Sequence, residues 1–151
     1  MEGETLSWSM PDQDGNTVSS DDLKGTPYVL YFYPKDDTPG CTKEACGIRD
    51  AWSDFEAAGL KVFGVSKDEA ARHQKFIAKY ELPFTLLTAT EEDLEALGVW
   101  KLKKLYGREY MGISRETYLV GADGTVLKHY PKVKVAEHGA TLLADFAELS
   151  G

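Results

Sequence analysis

Tyr28-Val29-Leu30-Tyr31-Phe32-Tyr33-Pro34-Lys35-Asp36-Asp37-Thr38-Pro39-Gly40-Cys41 is the stretch on which the fold of this chain turns. Its first six residues are all β-branched, aromatic or leucine, and Pro27 and Pro34 bound them. A run without polar alternation is what a strand covered on both faces requires, so it reads as a buried central strand. Residues 35–40 are loop chemistry, rich in Asp, Pro and Gly. Beyond them Ala45, Ile48, Trp52 and Phe55 recur at helical spacing, which predicts one helix over residues 42–58, stopped by Gly59. The unit is therefore a strand, a tight loop and a helix, with Cys41 at the junction.

Residues 61–65 read as a second strand. Ser66-Lys67-Asp68-Glu69 has the spacing of a capping box, and Phe76, Ile77 and Tyr80 continue the helix it would open. Residues 83–87 predict a third strand, and residues 91–97 a short helix ended by Gly98. Residues 117–120 and 126–130 are two strands around the turn Gly121-Ala122-Asp123-Gly124, and residues 140–149 a last helix. Toward the N-terminus, Asp14-Gly15 is a hairpin turn. This order is α/β: a mixed central sheet with helices on both faces, the last strands antiparallel to the rest, and an N-terminal β-hairpin. The expectation is a single-domain, thioredoxin-like fold over residues 1–151, since no repeat or linker divides the chain.

Composition narrows the function. Hydrophobic residues make up 42% and charged residues 28%, an ordinary globular balance. A net charge of −8 argues against nucleic acid or an anionic membrane as partner, because both demand excess Lys and Arg. The local cluster Lys101, Lys103, Lys104 and Arg108 reads as a solvated loop. No apolar stretch has the length of a bilayer span, and Met1-Glu2-Gly3-Glu4-Thr5 lacks the basic start of a secretory signal, so a cytoplasmic location is expected. Cys41 and Cys46 are the two cysteines. A staple across so short a loop restricts the unfolded chain little, so the pair reads as redox-active or metal-binding.

The position of Cys41 favours chemistry. Sites form at the carboxyl ends of strands in α/β sheets. A helix N-terminus offers free N–H groups and a partial positive charge, which favour the thiolate, the nucleophilic form. Cys46 follows five residues later. On an α-helix that separation puts the Cα atoms about 8.7 Å apart, whereas a disulfide needs roughly 4.4–6.8 Å. Either the two never bond, or the helix unwinds each time they do. A Cys-x-x-Cys dithiol meets no such conflict, so simple thioredoxin activity is disfavoured.

The segment 31–46 resembles the active-site segment of the peroxiredoxins, and more closely that of the peroxiredoxin Q, or bacterioferritin comigratory protein, group. The family pattern of Pro, three residues, Thr, two residues, Cys is met by Pro34, Thr38 and Cys41, and a second Cys five residues on marks the subgroup. Residues 106–118 match the subgroup's second signature, whose Arg falls on Arg115. The likeness runs over residues 11–149. It departs at Leu6-Ser7-Trp8, where the family commonly has Ala-Pro-Asp-Phe, and at Tyr118, where Phe is usual.

The resemblance implies a thiol-dependent peroxidase acting on hydrogen peroxide and organic hydroperoxides. Cys41 would be the peroxidatic cysteine and Cys46 the resolving one, forming an intramolecular disulfide that thioredoxin or a similar dithiol reduces. Thr38 and Arg115 would donate hydrogen bonds to the peroxide, and Pro34 would shield the sulfenic acid. No metal, haem or flavin is implied, and a resolving cysteine in the same chain leans toward a monomer. Glu44, near the helix start, reads first as dipole complementation, with a catalytic role as the open alternative. Two other readings stay open. One is a metal-binding module, although two thiolates make half a zinc site and His73, His129 and His138 have no ligand spacing. The other is a redox sensor that forms the disulfide without turnover.

Overall fold

A computed structural model describes residues 2–150, with the side chain of Ser150 left out; Met1 and Gly151, the ends of the expected span 1–151, lie outside the described residues. The elements are β1 (Ser9–Pro11), β2 (Thr17–Ser19), a 3-10 turn (Ser20–Leu23), β3 (Tyr28–Phe32), α1 (Pro39–Asp50), α2 (Trp52–Ala58), β4 (Lys61–Ser66), α3 (Ala70–Tyr80), β5 (Thr85–Thr88), α4 (Glu91–Ala96), β6 (Trp100–Leu105), β7 (Arg108–Ile113), β8 (Thr117–Val120), β9 (Val126–Tyr130) and α5 (His138–Ser150). The central sheet has the order β5-β4-β3-β8-β9. The β3–β4 and β4–β5 pairs are parallel, β8 is antiparallel to β3, and β9 is antiparallel to β8. β8 alone therefore opposes the other four strands, where the sequence suggested that both last strands would. Among the described residues no helix is long and apolar enough to cross a membrane.

β3 sits in the middle, and its alternation splits the core in two. Tyr28, Leu30 and Phe32 point to one face, where Leu94 and Leu97 of the α4 region, Met10 of β1 and Trp8 pack. Val29, Tyr31 and Tyr33 point to the other, against Ile48, Phe55, Phe76, Leu142 and Phe146 from α1, α2, α3 and α5. Each fully buried Leu, Val or Phe side chain contributes about 1.5–3 kcal/mol relative to exposure. The departures noted in sequence are absorbed here. Trp8 donates its Nε1–H to Tyr28 Oη at 3.1 Å, and the hydroxyl of Tyr118 donates to the Leu97 carbonyl at 2.6 Å.

Three local expectations are corrected. The helix over 42–58 is two helices, broken at Ala51, whose N–H bonds to Ile48 O at 3.1 Å in a tighter turn. The apolar stripe continues through the break, so periodicity did not reveal it. The capping box at Ser66 does not form: Ser66 ends β4 and donates its hydroxyl to Asp68 Oδ2 at 2.7 Å, and α3 starts at Ala70 without a side-chain cap. The cluster Lys101, Lys103, Lys104 and Arg108 is not a loop but the β6–β7 hairpin, in which Leu102 pairs with Met111 and Lys103 with Tyr110.

Candidate active site

Cys41 is the third residue of α1, directly behind the C-terminal end of β3. The first ladder bond of the helix runs from Thr42 N–H to Thr38 O at 2.8 Å, so the N–H groups of Gly40 and Cys41 precede the ladder at the positive end of the dipole. The first turn carries no acidic residue to offset that charge. Cys41 is buried, at 2% exposure.

Arg115 reaches Cys41 from the segment between β7 and β8. Tyr31 on β3 faces Thr117 on β8, which brings the residues just before Thr117 to the end of β3 where α1 starts. The guanidinium fork spans two partners: Nη2 lies 3.1 Å from Cys41 Sγ and Nη1 lies 2.7 Å from Glu44 Oε1. Burial disfavours the charge on Arg115, but hydrogen bonding to Cys41 and the charge of Glu44 outweigh it and raise its pKa. Gly40 permits the approach, because a Cβ there would stand 3.3 Å from Arg115 Nη2.

Glu44, read from sequence as dipole complementation, is instead a buried partner of Arg115. Three residues after Cys41 places it on the same face of α1, and its side chain is fully buried. Burial pushes its pKa up to about 7, against the downward pull of Arg115. The short ion pair and the raised value draw in opposite directions; burial wins because the carboxylate has no exposed surface and Oε2 has no hydrogen-bond partner. His138 at the start of α5 faces that oxygen at 4.0 Å and bonds Thr117 Oγ1 through Nε2 at 2.8 Å. Burial, then the charge of Arg115, drive the His138 pKa down to about 4, so the ring is neutral. Lys103, read as part of a solvated cluster, donates to the Ile113 carbonyl at 2.6 Å and feels both Cys41 and Arg115. Its placement beside the site follows from hairpin register, which no local pattern announces.

The remaining candidates take the following places. Thr38 is the N-cap residue of α1, but its hydroxyl donates to Lys35 O at 2.8 Å instead of being free to donate outward. Its oxygen lone pairs stay open as acceptors. Pro34 is exposed on the loop leaving β3. Cys46 is partly buried, and both cysteines are free. All three histidines are hydrogen-bonded: His73 to Asp36, His129 to Glu116 at 2.6 Å, and His138 as above. Among the described residues no three His, Cys, Asp or Glu side chains converge in a metal-holding group.

A family model described as "AhpC/TSA family" matches residues 3–129. "Peroxiredoxin Bcp" of Bacillus subtilis is 49% identical over 137 residues, covering 90% of this chain and 87% of that protein. The solved structure of a cysteine-to-serine variant of Xanthomonas campestris peroxiredoxin Q superposes with a TM-score of 0.89 at 35% identity, covering 95% of this chain and 92% of that one. A structure of the bacterioferritin comigratory protein of the same organism, described for its alkyl peroxide reduction activity, gives 0.86 at 37% identity, covering 94% and 92%.

Proposed function

The chain belongs to the AhpC/TSA family, in the peroxiredoxin Q (bacterioferritin comigratory protein) group of thiol-dependent peroxidases, and from that premise we propose that Cys41 is its peroxidatic cysteine and Cys46 its resolving one. The observation that carries this reading is the 3.1 Å contact of Arg115 Nη2 with Cys41 Sγ at the N-terminal turn of α1.

The Cys41 thiolate attacks the terminal oxygen of a hydroperoxide in line with the O–O bond. The S–O bond forms as the O–O bond breaks, and the departing alkoxide or hydroxide takes up a proton. Negative charge moves from sulfur to that oxygen, so a donor aimed at both lowers the barrier most where charge is spread. Arg115 and the N–H of Cys41 serve as donors on this reading. Because the Thr38 hydroxyl already donates to Lys35, its oxygen accepts a hydrogen bond from the O–H of the incoming hydroperoxide instead of donating to it. Pro34 forms the rim that keeps a second peroxide from the sulfenic acid.

Cys46 then condenses with the sulfenic acid, releasing water and forming a disulfide. A dithiol protein of the thioredoxin kind exchanges with that disulfide and restores both thiols. The helical separation of about 8.7 Å requires α1 to unwind first. Hydrogen peroxide and alkyl hydroperoxides are the substrates, the working unit is a monomer, and the compartment is the cytoplasm. The deciding experiment is Cys41→Ser, expected to abolish peroxide consumption with thioredoxin and its reductase. Retained turnover, with a sulfenic acid labelled at Cys46, reverses the two assignments.

A further inference from the structure

Asp36 and Asp37 take no part in the chemistry above, yet they are the most heavily bonded residues of the active-site loop. Asp36 is 2% exposed. Its Oδ1 accepts from the Tyr33 hydroxyl and its Oδ2 faces His73 Nδ1 at 2.7 Å. Its N–H donates to Asp68 Oδ2 at 2.8 Å, and its carbonyl accepts from Arg72 Nη2 at 3.2 Å. Asp37, in the left-handed region at φ 59, accepts from Tyr80 Oη and Lys79 Nζ, each at 2.8 Å. The loop is thus fastened along α3 just before the turn that carries Thr38 and Cys41.

His73 is the centre of this fastening. It is fully buried, and its Nε2 meets the Leu87 carbonyl on β5 at 3.1 Å. A carbonyl can only accept, so Nε2 carries a proton. The 2.7 Å contact between Nδ1 and the Asp36 carboxyl needs a second proton between them, so the pair holds one jointly. Tyr33 completes the unit: its ring lies 5.5 Å from that of Tyr31, in the apolar cluster that contains Cys41.

We propose that His73, Asp36 and Tyr33 form a positioning unit that sets where Thr38 and Cys41 lie relative to Arg115, and that stays fastened to α3 and β5 while α1 unwinds. The proposal rests on Cys41 being the nucleophile. Loops are ordinarily mobile, and a misplacement of about 1 Å costs on the order of 10²-fold in rate. A loop that must present a nucleophile beside a fixed guanidinium therefore needs an anchor outside the helix that melts.

The test uses two shapes of amide. In His73→Asn the amide nitrogen stands near the place of Nδ1 and keeps the bond to Asp36. In His73→Gln it stands near Nε2 and keeps only the bond to Leu87. The bond to the buried Asp36 carboxyl is worth more stability than the bond to the Leu87 carbonyl, so rates are read well below each variant's melting temperature, where a merely structural His73 leaves both folded and equally active. The positioning role separates them: the rate of peroxide reduction, followed by stopped flow, stays within ~3-fold of the parent for Asn and falls ~10-fold or more for Gln. Thiolate absorbance of the reduced protein at a fixed pH should follow the same split. Equal rates, or an equal fall, overturn the proposal. If His73→Gln does not fold, Tyr33→Phe decides: a slower rate at unchanged melting temperature supports the unit, and an unchanged rate overturns it. Peroxide consumption by Cys41→Ser would defeat the reading of Cys41 itself, whichever way the His73 variants behave.

Discussion

Glu44 Oε1 lies 2.7 Å from Arg115 Nη1 in a place where the carboxyl has no exposed surface. One side chain of α1 thus holds the guanidinium that touches another side chain of the same helix. Substitution Glu44→Gln keeps the shape and an acceptor oxygen but removes the charge. Above about pH 7, where the carboxyl is ionised, it should slow peroxide reduction by about tenfold to a hundredfold, in the range seen when one preorganised group is lost, with a smaller effect below that pH. A second-order rate constant equal to the parent's would take Glu44 out of the mechanism.

The same carboxyl makes a prediction about stability and pH. Its pKa is raised from 4.5 to about 7 by burial, so between those values the folded chain holds a proton that the unfolded chain has released. Stability from this group is complete below the unfolded value and is lost as pH rises through the folded one. The loss amounts to about 3 kcal/mol between pH 4.5 and 7. Urea unfolding across this window should show the component in the parent and its absence in Glu44→Gln. The stability advantage of the parent over the variant should shrink as pH rises; an advantage that grows would contradict the sign.

Arg115→Lys keeps the charge but loses the fork, and one ammonium cannot reproduce the contacts at Cys41 and Glu44 together. The peroxide rate should drop on the order of 10²-fold. Gly40→Ala approaches the same contact from the other side. Alanine favours the helix by up to about 1 kcal/mol, yet its Cβ would sit 3.3 Å from Arg115 Nη2. Melting temperature should hold or rise while the peroxide rate falls severalfold. A rate that holds along with the melting temperature would show that Arg115 yields without cost.

Cys46→Ser leaves the first chemical step intact and removes the second. A dimedone-type probe should label Cys41 after one equivalent of peroxide, and steady-state turnover with thioredoxin should collapse. Sustained turnover in this variant would assign resolution to another thiol.

Oxidation should raise amide exchange from Thr38 to about Asp50 and leave β3 and α2 close to their reduced protection. Trp52, stacked on Phe55 at 6.0 Å between ring centroids, adjoins the melted segment and should report it by fluorescence. A verified Cys41–Cys46 disulfide with full protection over α1 would contradict the distance argument.

The parts of this molecule that were legible in sequence are those written locally. Residues 28–33 announce a doubly covered strand through composition alone, and Cys41 announces a helix start through Thr38, Pro39 and Gly40. What escaped depends on distant partners. Glu44 and Arg115 are 71 residues apart, and Asp36 and His73 are 37 apart, so neither pair leaves a trace in spacing. The β6–β7 hairpin was hidden because Lys101, Lys103 and Lys104 read as charge rather than as an alternating strand. The motif resemblance located Arg115 but was silent on what holds it.

Ala51 would give the proposed redox cycle a boundary. A continuous helix melts cooperatively, because each ladder bond supports the next and unwinding one end shifts the balance for the whole length. At Ala51 the N–H turns to Ile48 O and α2 starts anew, with its own left-handed cap at Gly59. On the proposed cycle the unwinding would stop within about three turns, disturbing the α1 side chains Ala45 and Ile48 of the core while α2 keeps Phe55 in place. On the proposed cycle such a firebreak would let one stretch of backbone pass through order and disorder many times while α2 stays docked on the core.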